Sequence, residues 1–347
     1  MADRTRIGII GAGGIFRSRH LPGLAKIDAA EVAAICNRSE ESGRKVADDF
    51  GLKPDVMTDP HALIARDDLD AVMIGTWPYM HGPFALEALA AGKHTFVQAR
   101  MAMNLREAKR MYARAQETGL VAQVCPSPMG MVGDWVMRRL VREGYLGEIY
   151  NVYTRSFNGG YCNPDEPLHW RQVDRCSGLN ALNMGILVEV IHRWFGYMKT
   201  VSAQAETFIK TRPLPGGEGT GAVERPDTVN VFGRMENGAT AAFLFSGVAR
   251  FGTDSRVEAY GSEGTLVYNL DSHTILGGKA GDACLSEIPI PEEEARAWTV
   301  ERDFVDAIRN GMPAETTFYE GVKYMEFTEA VFRSVERGGT VSLPLVD

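Results

Sequence analysis

Gly8-Ile9-Ile10-Gly11-Ala12-Gly13-Gly14-Ile15 sets glycines at 11, 13 and 14 between an apolar strand and a helix. Glycines at 11 and 13 permit a tight turn and let backbone amides approach a pyrophosphate, while Gly14 and Ile15 open the helix whose positive end would face it. This is the pattern of a dinucleotide site. The third glycine of that fingerprint is replaced by Phe16, so the helix is expected to stand off or to turn the ring away. At the end of the next strand, where an acid would bind the ribose hydroxyls, the chain has Asn37, Arg38 and Ser39. An aspartate there repels a 2′-phosphate, whereas asparagine beside arginine accepts one or stacks on adenine, which favours NADP over NAD. The other reading of Arg38 is a solvent-exposed residue opening a helix. Farther along, FVQARMAMN (96–104) ends a strand that should deliver a proton-transferring group, yet it offers only Gln98, Ala99 and Arg100.

The elements that must position these residues follow from composition and pattern. A chain of 347 residues, 45% apolar, exceeds the usual limit of a single core, so two domains are expected. The net charge of −8 argues against nucleic acid and anionic membranes as partners. No apolar run reaches the roughly 20 residues of a membrane span, and MADRTR leads straight into a strand, so a cytoplasmic protein is expected. Five cysteines without CxxC or zinc-type spacing read as reduced, mostly buried thiols, and no metal is expected. RIGIIGAGGIF, EVAAICN, DAVMIGT and HTFVQ alternate with helical segments and show little polar alternation, as strands of a doubly wound parallel sheet covered on both faces do. The pattern changes near Cys125. There follow the loop PSPMGMVG, an amphipathic helix DWVMRRLVREG, and longer alternating strands such as EIYNVYTRSF, TVNVFGRME and ATAAFLFSGV. These predict an α+β domain with a large, mostly antiparallel sheet over 126–347, after a Rossmann domain over 1–125. RPLPGGEGTGAVERP reads as a loop, and a helix pair closes the chain.

The order of segments resembles the glucose-fructose oxidoreductase, inositol dehydrogenase and rhizopine catabolism family, shortened to Gfo/Idh/MocA. The resemblance rests on IGIIGAGGIFRSRHLPGL, TWPYMHGPFALEALAAGKHTFV, REGYLGEIYNV, HWR, GYMKTVSA, FVDAIRNG and SVERGGTVSLP, and runs almost end to end. It implies the two-domain fold, NAD or NADP at the carboxyl edge of the first sheet, and oxidation of sugars or cyclitols or reduction of the matching ketones. It also exposes departures. The family's Glu-Lys-Pro falls on Gln98, Ala99 and Arg100, and its Asp-x-x-x-His falls on Asn183 to Leu187, so the usual lysine and histidine are absent. The Thr-Pro-Asn-x-x-His pattern falls on Thr76, Trp77, Pro78 and His81; Thr76, Trp77, His81 and Gln98 are thereby implied near the cofactor. The large ring of Trp77 faces nicotinamide or substrate, or is a core residue. The family's Trp-Arg pair implies Trp170 and Arg171 as cofactor contacts.

Other groups must then move the proton. On a helix near 181–195, at about 100° per residue, Asn183, Ile186, Leu187, Val190 and Trp194 share one face, and Glu189, His192 and Arg193 lie on the other. If Asn183 faces the cleft, as the resemblance implies, Glu189 and His192 do not and are left to packing or interface contacts. FNGGYCNPDEPLHWRQVDRCSG holds Tyr161, Asp165, Glu166 and His169, and His169 suits acid/base work near neutrality. Arg100 cannot act as a base, but its rigid fork binds a carboxylate or polarises a carbonyl; the alternative is a surface arginine at a helix start. An NAD(P)-dependent oxidoreductase acting on a small carbohydrate-like molecule is the reading these features favour. A catalytically altered nucleotide-binding sensor stands beside it, as does a lyase or hydrolase using retained cofactor for transient oxidation. Strands apolar on both faces, as in ATAAFLFSGV, imply a homo-oligomer, dimer or tetramer.

Overall fold

The structure, a computed structural model, describes residues 4–125 and 131–346. The chain divides into two compact units, Met1–Pro126 with Trp298–Met325 and Ser127–Ala297 with Glu326–Asp347. Residues 298–325, expected in the second domain, cluster with the first unit.

In the first unit, β1 (Thr5–Ile10), β2 (Ala30–Cys36), β3 (Asp55–Met57), β4 (Ala71–Ile74), β5 (His94–Val97) and β6 (Ala122–Val124) form one sheet in the order β3-β2-β1-β4-β5-β6. Every pairing is parallel. The doubly wound order reverses at β1 and β4, where such sheets leave a crevice beyond their carboxyl ends. The strands carry no polar alternation because both faces are covered. Ile7, Ile9, Met73 and Phe96 pack with Phe16, Phe304 and Val305 on one side. Ile10, Val72, Ile74 and Val97 pack with Phe84, Met111 and Tyr324 on the other.

The second unit holds β7 (Ile149–Phe157), β8 (Met198–Glu206), β9 (Thr211–Pro213), β10 (Thr220–Ala222), β11 (Thr228–Met235), β12 (Thr240–Ser246), β13 (Arg256–Gly261), β14 (Gly264–Asn269), β15 (Ile275–Lys279), β16 (Ser286–Ile288) and β17 (Val341–Ser342). Nine of them form one sheet, ordered β16-β15-β14-β13-β7-β12-β11-β8-β17. Only the β12 to β7 contact is parallel. The stretch expected to be a loop contains the separate β9–β10 hairpin. Its glycines turn the chain rather than unstructure it.

One face of the large sheet is packed. Val152, Thr154, Val229, Val231, Phe243, Phe245, Val257 and Ala259 point inward. The register across the other face lines up Phe232, Ala242, Tyr153 and Glu258 from four adjacent strands. Phe232 is 53% exposed and Tyr153 39%. Of the cysteines, Cys36 and Cys125 are buried, Cys162 and Cys176 half-buried and Cys284 exposed, so fewer are interior than expected. Burial pushes the Cys36 thiol up to about 11. Among the described residues no helix is long and apolar enough to cross a membrane, and no cluster of three or more His, Cys, Asp or Glu side chains is placed to hold a metal.

Candidate functional site

Because the first sheet is parallel, the residues that follow β1, β2, β4 and β5 share its carboxyl edge. Gly11 sits at φ +82°, a conformation L side chains rarely adopt, and a Cβ there would crowd Thr76. Its N–H donates to the Cys36 carbonyl at 2.9 Å, and the Ala12 N–H donates to Asn37 Oδ1 at 2.9 Å. Asn37 thus fastens the glycine turn to the end of β2. Helix begins at Gly14, so the N–H groups of Gly14 and Ile15 lie in a first turn without helical acceptors. Around Gly14 a Cβ would meet nothing within 4 Å, which leaves the backbone open to a ligand. These features fit a pyrophosphate cradled by backbone amides.

The helix itself explains Phe16. It is π-wound over Phe16–His20, and the ring is fully buried rather than turned outward. A Cβ on Gly75 would strike this ring. The missing third glycine is therefore replaced from the other side: Gly75, at the end of β4, makes the room.

Arg38 is exposed and forms no hydrogen bond or ion pair among the described residues, while Ser39 caps the helix Glu40–Asp49 by accepting the Ser42 N–H at 3.2 Å. After β4, Thr76 is half-buried, and Trp77 is 41% exposed with its ring 6.3 Å from that of Tyr79. Trp77 is not a core residue. His81 departs from the expected cofactor contact. It is buried, with Nδ1 2.9 Å from the Arg100 carbonyl and Nε2 2.9 Å from the Thr76 carbonyl. Both ring nitrogens face backbone carbonyls, so His81 packs between the β4 loop and the β5 loop, donating to one carbonyl or the other according to its tautomer. Burial lowers its pKa against the opposing pull of the Thr76, Arg100 and Met101 backbone.

After β5, Gln98 and Arg100 are each 8% exposed, and the Ala99–Arg100 peptide is cis. Arg100 is not a surface residue. The backbone beyond it is held from the returning segment, where the Tyr324 hydroxyl accepts the Met101 N–H. Gln98 Oε1 lies 2.8 Å from Nε2 of His20, and the Nδ1 of His20 faces Glu301. The sequence gives little hint of His20 or Glu301 as neighbours of this edge, since Glu301 lies on the helix expected in the other domain.

In the second unit the candidate residues sit on a separate set of elements. His169 precedes the single turn Trp170–Gln172 and caps it, its Nδ1 accepting the Arg171 N–H at 3.2 Å. Burial and then the charge of Arg171 lower its pKa. With Nδ1 accepting, the neutral ring carries its proton on Nε2. As placed, His169 has its Nε2–H to offer as a donor and accepts a proton at Nδ1 only by giving up the cap, which narrows the acid/base role expected of it. Arg171 stacks on Trp170, its guanidinium carbon 4.3 Å from the ring centroid. The preceding loop is held by Arg212, buried, whose guanidinium donates to the carbonyls of Tyr161 and Asn163 at 2.6 Å each. Asn183 caps no helix N–H; its Nδ2 donates to Ser156 Oγ at 2.7 Å, which draws the side chain onto β7. Leu187, where the resemblance puts a histidine, is buried. Glu189 pairs with Arg193 at 3.1 Å and the His192 ring packs at 5.1 Å from Tyr197, both parts of the interior.

Comparison with known proteins bears on the family and the fold. Residues 5–125 match the model of an oxidoreductase family with an NAD-binding Rossmann fold, and residues 136–267 match that of the GFO/IDH/MocA C-terminal domain. The levoglucosan dehydrogenase of Pseudarthrobacter phenanthrenivorans is 24% identical, over 90% of this chain and 89% of that protein. The myo-inositol 2-dehydrogenase of Thermotoga maritima is 23% identical, over 97% and 98%. A 4-carboxy-2-hydroxymuconate-6-semialdehyde dehydrogenase of Sphingobium sp. is 40% identical, but over only 34% of this chain and 37% of its own length. A solved levoglucosan dehydrogenase, in complex with NADH and L-sorbose, superposes with a TM-score of 0.88 at 23% identity, covering 98% of this chain and 99% of that one. That likeness shows the fold.

Proposed function

The chain belongs to the Gfo/Idh/MocA family of oxidoreductases, and on that premise we propose that it moves hydride between NADP and a sugar, cyclitol or related hydroxy or keto compound. The observation that carries this reading is the glycine turn, with Gly11 at φ +82° and an open backbone at Gly14. The cofactor, when bound, supplies the hydride chemistry. Gly11, Gly13, Gly14 and Ile15 offer backbone to its pyrophosphate, and Asn37 and Arg38 meet the adenosine ribose. Thr76, Trp77 and Gln98 stand at the edge where the nicotinamide end would lie, with His81 holding their loops in register. Arg100 is proposed to bind a carbonyl or carboxylate oxygen of the substrate. On the second unit, Trp170 and Arg171 are proposed to touch cofactor, and His169 and Asn183 to orient substrate hydroxyls by hydrogen bonds.

The preference for NADP rests on Arg38. A solvent-facing guanidinium with no ion pair is available to a 2′-phosphate, and the carboxylate that would repel one is replaced by Asn37. The dissociation constant for NADPH should be at least about tenfold below that for NADH, a difference of about 1.4 kcal/mol, and Arg38→Ala should remove most of it. Equal binding of the two by the unaltered protein refutes the preference. Turnover of both cofactors with a panel of keto sugars and cyclitols tests the reaction itself. Tight binding without turnover on any of them would favour a sensor over an enzyme.

The exposed row of Phe232, Ala242 and Tyr153 is proposed to pack against a second copy of the chain, since an aromatic sheet face of this kind is poorly suited to water. Sedimentation should find a dimer or larger, and Phe232→Asp should shift it toward monomer with unchanged circular dichroism. A stable monomer of the unaltered protein at micromolar concentration rules this out.

A further inference from the structure

Behind the β5 edge lies a cluster drawn from three separated segments of the first unit. His20 is fully buried among Phe16, Phe96 and Trp298, with ring centroids 4.5, 5.2 and 5.6 Å away. Its Nδ1 meets the carboxylate of Glu301, itself 1% exposed. Both oxygens of that carboxylate accept the Trp298 Nε1–H, at 2.9 Å each. A Cβ on Gly23 would collide with the same carboxylate, so the glycine keeps its place open. The other nitrogen of His20 faces Gln98 Oε1 at 2.8 Å.

The amide oxygen of Gln98 can only accept, so it takes the hydrogen bond of Nε2, while Nδ1 shares a hydrogen bond with the Glu301 carboxylate. That fixes Gln98. Its amide oxygen is taken inward and its backbone N–H donates to the Ile74 carbonyl at 2.9 Å, so the amide NH2 is the part left at the carboxyl end of β5. The acid of the cluster, Glu301, is turned away from that end onto His20. The strand end thus carries an amide donor where a carboxylate would have carried negative charge.

We propose that Glu301, acting through His20 as a positioning pair, holds Gln98 with its amide NH2 toward the nicotinamide, and that this neutral donor gives the protein a preference for reduced over oxidised cofactor. The oxidised ring is a cation and the reduced ring is neutral. A carboxylate beside the ring favours the cation, whereas a neutral amide donor does not. The reaction is then poised toward reduction of a carbonyl compound. This inference rests on the dinucleotide-binding reading above.

The test measures dissociation constants for NADPH, NADP+, NADH and NAD+, with ADP-ribose as a probe lacking the ring, for the unaltered protein and for Gln98→Glu, Gln98→Met and Glu301→Gln. The unaltered protein should bind the reduced form about tenfold more tightly than the oxidised. Gln98→Glu should move that ratio by about tenfold or more toward the oxidised form, with ADP-ribose affinity unchanged. Gln98→Met, which deletes the donor without adding charge, should weaken both forms and leave the ratio nearer to the unaltered value. Glu301→Gln should weaken nicotinamide binding while sparing ADP-ribose, a change that a merely structural role would not produce. If ADP-ribose and the cofactors bind but Gln98→Glu leaves the ratio unchanged, this inference is wrong and the dinucleotide reading stands. The inference also fails if Glu301→Gln lowers only the melting temperature. If neither ADP-ribose nor any cofactor binds the unaltered protein, the dinucleotide reading fails and takes this inference with it.

Discussion

Asp134→Ala should lower the melting temperature by on the order of 10 °C, the largest loss of stability expected from a single substitution outside the glycine turn. Asp134 is fully buried at the first turn of the helix Asp134–Arg142. One carboxylate oxygen accepts Trp194 Nε1–H at 2.7 Å. The other meets Arg193 at 2.8 Å and also pairs with Arg296. Arg193 and Arg296 are themselves only 9% and 7% exposed. Removing the acid leaves two interior guanidinium groups short of countercharge and an indole N–H without its acceptor. Breaking a buried pair in this way costs about 3–5 kcal/mol, which for a domain of this size is on the order of 10 °C. Asp134→Asn, which keeps an oxygen for the indole but loses the charge, should fall between the two. Glu117→Ala serves as the contrast, because its pair with Arg114 is solvent-exposed and should move the midpoint by about a degree at most. Thermal denaturation followed by circular dichroism decides it; a midpoint within about two degrees of the unaltered protein would mean that the network is not under the electrostatic load described.

That network also shows where reading the sequence runs out. The apolar stripe of DWVMRRLVREG predicts a helix, and a helix is there, but nothing local tells that its first acid is interior rather than a solvated cap. Its partners lie 59, 60 and 162 residues away. The Rossmann half was legible because both-face burial leaves a local trace, and a strand such as Ala71–Ile74, buried at every residue, can be read without knowing its neighbours. The glycine turn was legible for the same reason, since φ at Gly11 is a property of one residue. Phe16 was misread because its compensation, Gly75, belongs to another strand. Glu301 was assigned to the second domain with the helix that bears it, while the chain brings that helix back to His20 across 281 residues. The cap made by His169 was invisible for another reason: it joins a side chain to a backbone N–H, and the sequence shows only that a titratable ring is present.

Arg100→Ala should lower kcat/KM by about 10²-fold or more while leaving cofactor affinity nearly intact, the scale of losing a charged hydrogen bond to a buried partner. Its place in the structure sharpens the argument. The residue is 8% exposed, its own carbonyl faces His81, and the next amide is held by Tyr324, so the backbone from which its side chain projects is fixed at the edge of β5. A fixed backbone spares much of the ordering cost of binding an oxygen of the substrate, and a guanidinium offers donors to that oxygen without taking its proton. Restoring the family's lysine by Ala99→Lys in the Arg100→Ala background should not recover the lost rate. A lysine can supply a proton, but it lacks the planar fork with which a guanidinium grips an oxygen. The single variant Ala99→Lys, which adds an ammonium next in sequence to the Arg100 guanidinium, should be slower than the unaltered protein. Steady-state kinetics of the two single variants and the double variant, on whichever carbonyl compound the panel reveals, carry the comparison. Wild-type kcat/KM in Arg100→Ala would make this arginine a packing residue. Recovery of rate in the double variant would show instead that a proton-supplying cation at position 99 suffices and that the fork of Arg100 is not what the reaction needs.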